Sequence, residues 1–172
     1  MDDVSGDPVT GGAAALETER LVLRAWTQGE AVAVVEGGRR DDWCEDFPAD
    51  GDRSIAPLVA AKPEWLGPFG HRLVVERASG LVVGALGLFW PPKAGAVELG
   101  YGIAPSRRGR GYAPEAVRAL VAQAFKAPEV RLVFATVEPA NPASVRVLQK
   151  AGFTPAGVDQ DQGLDRYELP RP

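Results

Sequence analysis

The segment Pro105-Ser106-Arg107-Arg108-Gly109-Arg110-Gly111-Tyr112-Ala113-Pro114-Glu115 constrains the fold of this chain more than any other stretch. Val97 to Ile103, just before it, reads as a strand. After it, Val117, Leu120, Val121 and Ala124 recur at i, i+3, i+4 and i+7, which predicts an amphipathic helix from about Ala113 to Phe125. The glycine-rich turn therefore joins a strand to a helix N-terminus. Gly109 and Gly111 carry no Cβ, so the main chain there can approach a bulky anion. Successive N–H groups near a helix start converge on one point and bind phosphate oxygens. Arg107, Arg108 and Arg110 add positive charge. The turn is not a Walker A loop, because Gly-Lys-Ser/Thr is missing. Nor is it a dinucleotide fingerprint, because Pro114 stands where the third glycine would be.

The flanking pattern fills in an α+β domain. Residues 1–15 are rich in Gly and Ala and read as an N-terminal arm, with the domain proper over 16–172. Leu21-Val22-Leu23 reads as a first strand. Thr27 with Glu30 forms a capping box for a helix that Gly37-Gly38 stops. Residues 39–68 are irregular, with a short helix from Arg53-Ser54 to Ala61. His71–Glu76 and Leu81–Phe89 form a hairpin across Ala78-Ser79-Gly80, and Val97–Ile103 adds a third strand to the meander. Arg131–Val137 is a strand. Asn141-Pro142 opens a helix that Gly152 ends. Phe153–Val158 and Arg166–Leu169 are the last strands. This order predicts one mixed, mostly antiparallel sheet of about six or seven strands flanked by helices.

Composition removes several function classes. In 172 residues, 19 Lys plus Arg against 23 Asp plus Glu give a net charge of −4, unlike the basic surface of a general nucleic-acid binder. One Cys and one His are too few for a Cys/His zinc site, so no metal is expected. No apolar run approaches the ~18–20 residues of a membrane span. Met1-Asp2-Asp3 is acidic and no apolar h-region follows, so no signal peptide is read and the expected location is cytoplasmic. His71, alone on an alternating strand, reads as structural. Cys44, with no activating base near it in sequence, reads as inert.

Arg108-Gly109-Arg110-Gly111-Tyr112-Ala113 resembles the Gln/Arg-x-x-Gly-x-Gly/Ala motif of the GNAT N-acetyltransferase family. Four further stretches agree. Leu16-Glu17-Thr18-Glu19-Arg20-Leu21-Val22-Leu23-Arg24 resembles the opening of the ribosomal-protein-alanine-acetyltransferase-like (RimJ/RimL-like) branch. Glu98-Leu99-Gly100-Tyr101, Asn141-Pro142-Ala143-Ser144 and Lys150-Ala151-Gly152-Phe153 resemble its later segments. The likeness runs from residue 16 to about 169.

The resemblance implies a sheet that splays between its fourth and fifth strands, with acetyl-CoA as co-substrate in the gap. It implies that the main chain of Gly109, Arg110, Gly111, Tyr112 and Ala113, with Arg108, holds the CoA diphosphate. Tyr101, Gly102 and Ile103 would run beside the pantetheine arm, one N–H polarising the thioester carbonyl. Asn141 would contact CoA near the gap. The amine must be neutral to attack, and the departing thiolate must be stabilised or protonated. Glu98, in an otherwise apolar strand, is the candidate base. Ser144 is the candidate acid, because Leu148 occupies the position where much of the family has a Tyr. The acceptor is an amine, either a cationic small molecule or a protein N-terminus. Acids of 41–52, with Trp43 and Phe47, are expected to line its side of the site, and Asp159, Asp161 and Asp165 add to the negative charge. The family often dimerises, and a homodimer is compatible with the sequence although no stretch reads as an interface. The alternative reading is a non-catalytic acyl-CoA-binding domain.

Overall fold

A computed structural model describes residues 13–172. The expected arm, 1–15, lies outside the described residues as far as residue 12. The chain forms an eight-stranded mixed sheet in the order β1-β2-β3-β4-β5-β6-β8-β7. Its strands are β1 (Leu16–Glu17), β2 (Leu21–Ala25), β3 (His71–Glu76), β4 (Val82–Leu88), β5 (Ala96–Ile103), β6 (Leu132–Val137), β7 (Thr154–Asp159) and β8 (Leu164–Pro170). Its helices are α1 (Gln28–Val35), α2 (Asp50–Ala61), α3 (Tyr112–Ala124) and α4 (Pro142–Lys150). The α+β architecture is as expected, with one more strand than the upper count. Leu16–Glu17 is too short to show a period, yet it pairs with Val22 and Leu23. That addition moves the expected seam from strands four and five to β5 and β6.

Local signals explain most of the elements. Thr27 accepts the Glu30 N–H and Glu30 answers the Thr27 N–H, so α1 has its capping box. Gly80 takes φ 73° in the β3–β4 turn. Asn141 Oδ1 accepts the Ser144 N–H, capping α4, with Pro142 at its first position. Helix α2 begins at Asp50, earlier than expected. Its N-cap is Ala49, whose methyl advertises nothing. Instead Asp52, 5% exposed, reaches back to the Ala49 N–H at 2.8 Å.

Strand parity assigns the faces. Arg24 pairs in register with Leu73 and forms a two-pronged contact with Glu30 of α1 at 2.8 and 2.9 Å. Glu76, of opposite parity on β3, meets Tyr112 of α3. So α1 lies on one face and α3 on the other, where Val117, Leu120 and Ala124 are fully buried. Arg72 lies on the α3 face, 1% exposed, donating to the carbonyls of Ala14, Leu23 and Pro68. Among the described residues no helix is long and apolar enough to cross a membrane.

Candidate active site

The sheet opens between β5 and β6. These parallel strands pair only at Ala96–Leu132, Val97–Val133 and Glu98–Phe134. Beyond that, β5 is held by β4 and β6 by β8. The Glu98 carbonyl accepts from Phe89 N at 2.9 Å, and Ala104 N donates to Val83 O at 2.8 Å. Even-numbered residues of β5 thus turn their main chain toward β4. By alternation, Leu99 and Tyr101 turn theirs into the opening.

A cleft of about 440 Å³ follows the opening on the α3 side. It is lined by Tyr101, Gly102 and Ile103, by the Arg107–Pro114 turn, and by Asn141, Ser144, Arg146 and Lys150 of the α4 segment. Gly109 and Gly111 adopt φ 77° and 80°, the left-handed region where a Cβ is strained. Gly111 caps α3 without any side-chain bond. Among the described residues, no main-chain or side-chain acceptor takes the N–H groups of Gly109, Arg110, Gly111, Tyr112 or Ala113.

Of the residues expected to hold a cofactor, all but Arg110 line this cleft. Arg110 turns behind the turn to Glu76 at 3.1 Å. Arg107 is drawn to Glu45 at 3.1 Å, and Arg108 donates Nε to the Ile103 carbonyl at 3.0 Å. Sequence reasoning missed Arg146 and Lys150. Their side chains have no acidic partner among the described residues, and they face the cradle from the opposite wall. The signal was present: Ala143, Arg146, Val147 and Lys150 mark one helical stripe at i, i+3, i+4 and i+7.

The two expected catalytic residues fall on different faces. Ser144 lines the cleft, with its Oγ 2.9 Å from the Tyr101 phenol oxygen. Burial pushes the Tyr101 phenol up against the opposing pull of that bond, so it stays protonated. Glu98 does not line the cleft. Its carboxylate, partly buried, projects from the other face and accepts from Thr136 Oγ1 at 3.2 Å. Nearby on that face, Arg166 stacks 3.7 Å over the Phe134 ring and pairs with Glu168 at 2.9 Å.

Trp43 and Phe47 do not line an acceptor surface, which corrects the expectation for those two residues, while Asp41, Asp42, Glu45 and Asp50 of the stretch stay exposed. Trp43 and Phe47 are 4% and 0% exposed and pack edge-to-face in the core. Asp46 accepts from the Ser106 N–H and hydroxyl at 2.7 and 2.6 Å, Glu45 holds Arg107, and Asp42 reaches Arg24. The stretch straps the cradle to the core. Asp159 is also consumed locally, by the N–H groups of Asp161 and Gln162. His71 is buried between Trp65 and Phe89, its pKa pushed down to about 4 by burial. Burial also pushes the Cys44 thiol up, as an inert cysteine requires.

A protein-family model described as an acetyltransferase (GNAT) domain matches residues 20–154, well over half of the chain. The chain belongs to the GNAT acetyltransferase family. A relative in Bacillus subtilis (strain 168), described as uncharacterized N-acetyltransferase YoaA, is 29% identical over 149 residues, covering 83% of this chain and 84% of its own. Two solved structures share the fold. Apo RimL, a ribosomal alpha-N-protein acetyltransferase, is 17% identical with a TM-score of 0.64 over 92% of this chain and 94% of its own. AAC(6')-Ib, bound to ribostamycin and coenzyme A, is 22% identical with a TM-score of 0.62 over 89% and 94%.

This GNAT chain is thus an N-acetyltransferase, and acetyl-CoA is its co-substrate. Its own residues suit that donor. Five consecutive N–H groups lack acceptors beside a helix start, which is what a diphosphate requires. Two cations stand across the cleft to meet further negative charge. The open side of β5 offers main-chain groups to an amide-bearing arm.

Proposed function

We propose that the chain moves an acetyl group directly from acetyl-CoA to a primary amine within a ternary complex. The observation that carries this reading is the seam itself. Past Glu98 the sheet is open from face to face, with the cleft on the α3 side and the Glu98 carboxylate on the other. A thioester lying in the cleft and an amine arriving beside Glu98 would meet in the gap. Alignment of this kind lowers a barrier by up to about 7–11 kcal/mol.

Each group then has a role. The main chain of Gly109–Ala113, with Arg108, Arg146 and Lys150, holds the phosphates, and Asn141 contacts the donor at the α4 start. The N–H of Leu99 or Tyr101 donates to the thioester oxygen as negative charge develops there. Glu98 takes the amine proton, directly or through water. Ser144 donates its hydroxyl hydrogen toward the departing sulfur, and the Tyr101 hydroxyl, which donates to the Ser144 carbonyl at 3.1 Å, fixes the start of α4 beside it.

The acceptor is a cationic small amine or a protein N-terminus. Residues 16–24 favour the RimJ/RimL-like branch and hence the N-terminus. RimL and the aminoglycoside-bound AAC(6')-Ib resemble this chain about equally, so shape alone does not decide. Thiol release from acetyl-CoA, followed across peptides with free N-termini, polyamines and aminoglycosides, tests the proposal. Release that depends on one class identifies the acceptor. Tight acetyl-CoA binding with no amine-dependent release from any class refutes transfer.

Glu98→Gln is expected to slow turnover about 10²-fold or more near neutral pH and less at alkaline pH, where more amine is already neutral. Ser144→Ala should lower kcat and leave the acetyl-CoA KM alone. An unaltered pH–rate profile in the first variant would remove Glu98 from the reaction, and full kcat in the second would remove Ser144.

A further inference from the structure

Behind the anion cradle sits a carboxylate, which simple electrostatics would keep away. Glu76 ends β3, and its side chain is 6% exposed. Its Oε2 accepts the Tyr112 hydroxyl at 2.7 Å and Arg110 Nη1 at 3.1 Å. Its Oε1 accepts the Ser79 hydroxyl at 2.7 Å and lies 3.7 Å from Arg107 Nε, a buried donor with no hydrogen-bond partner among the described residues. Burial opposes the charge, but the Ser79 and Tyr112 hydroxyls and the two guanidiniums outweigh it and hold the carboxyl below its usual range.

The attachments have a pattern. Arg107, Arg110 and Tyr112 are the beginning, middle and end of the turn that carries the unpartnered N–H groups. All three converge on one carboxylate, on a strand bonded to neighbours on both sides. Glu45 and Glu76 pair with Arg107 and Arg110, so the charges of both cations are already answered, although Arg107 also lines the cleft. The cleft-lining cations with no acidic partner among the described residues are Arg108, Arg146 and Lys150.

We propose that Glu76 is the positioning residue of the donor site: acting through Arg107, Arg110 and Tyr112, it holds the Gly109–Ala113 N–H groups convergent on the CoA diphosphate. Arg110 serves this purpose indirectly, as a tie rather than as a phosphate ligand. The inference rests on the reading of the cleft as the acetyl-CoA site. Loosening the turn weakens donor binding equally in the ground and transition states, so it raises KM and spares kcat.

Steady-state kinetics with acetyl-CoA varied, on Glu76→Gln, Arg110→Met and their double variant, tests this. Glu76→Gln should raise the acetyl-CoA KM about tenfold, with kcat and the acceptor KM within about twofold. The double variant should be no worse than Glu76→Gln, because both changes cut the same tie. Additive losses would mean that Arg110 grips phosphate itself and would overturn the proposal, as would an unchanged KM in Glu76→Gln. Gly111→Val, assayed alongside, separates the two readings. If it too leaves KM unchanged, the cleft is not the donor site; if it alone raises KM, only the role of Glu76 fails. Should Glu76→Gln not fold, Tyr112→Phe removes one hydroxyl from the same carboxylate. It should raise KM about threefold, and an unaltered KM in that folded variant also defeats the proposal.

Discussion

Gly111→Val is expected to raise the acetyl-CoA KM about a hundredfold or more while leaving the protein folded. Gly111 holds φ 80° and ψ 15° as the cap of α3. A β-branched residue in the left-handed region is strained by ~1–3 kcal/mol, and the main chain relieves that strain by rotating. An added Cβ would meet only Arg20 Nη2, at 3.3 Å, so space is not the obstacle. Rotation turns the Gly111 and Tyr112 N–H groups off their common point. Hydrogen bonds to a charged acceptor contribute ~1.5–3 kcal/mol each, and losing two accounts for the expected change. Titration calorimetry with CoA reads the effect without catalysis. Wild-type affinity in the folded variant would show that these amides do not carry the diphosphate.

Two buried groups should tilt the pH dependence of stability in opposite directions. Burial pushes Asp52 up from 3.8 to about 6, with the Ala49 N–H and Arg53 pulling the other way. The folded state therefore binds this proton more tightly than the unfolded chain. Its contribution is complete below about pH 4 and is lost as pH rises through about 6. Burial pushes His71 from 6.5 down to about 4. Here the unfolded chain binds the proton more tightly, so the contribution is complete above about 6.5 and is lost as pH falls through about 4. Each shift is worth on the order of 3 kcal/mol, so the two nearly cancel between pH 4 and 6. Asp52→Asn, which keeps an oxygen for the Ala49 N–H, should leave a profile that rises with pH over this window. His71→Leu should leave one that falls. Urea unfolding at several pH values measures the slopes, and parallel curves for wild type and both variants would contradict this account.

The fold was legible wherever short-range chemistry decides it. The i, i+3, i+4 stripe of α3, the Thr27–Glu30 box and the Asn141-Pro142 start are local, and each element formed where it was expected. Helix α2 was expected to start a few residues late because its cap works backwards, from Asp52 to a silent Ala49. The position of the glycine turn was legible because its glycines sit between a strand and a helix. The direction of each arginine was not, because Glu76 lies 34 residues from Arg110 in the chain, and nothing in the motif points to it. The role of Asp46 was missed for the same reason. Composition counts charges, but only the fold shows that Asp46 is already occupied by Ser106, 60 residues on. Glu98 and Tyr101, three apart on one strand, had to face opposite ways, and that parity was available from the sequence alone.

The divergence of β5 from β6 gives this protein a raw rim in the middle of its sheet, where most proteins have one only at the border. Such rims recruit passing strands. On the proposed reading, acetyl-CoA, whose arm carries peptide-like amides, would act as a surrogate strand and cover this rim. That reading predicts that strand-mediated self-association is greatest when the acyl donor is scarce.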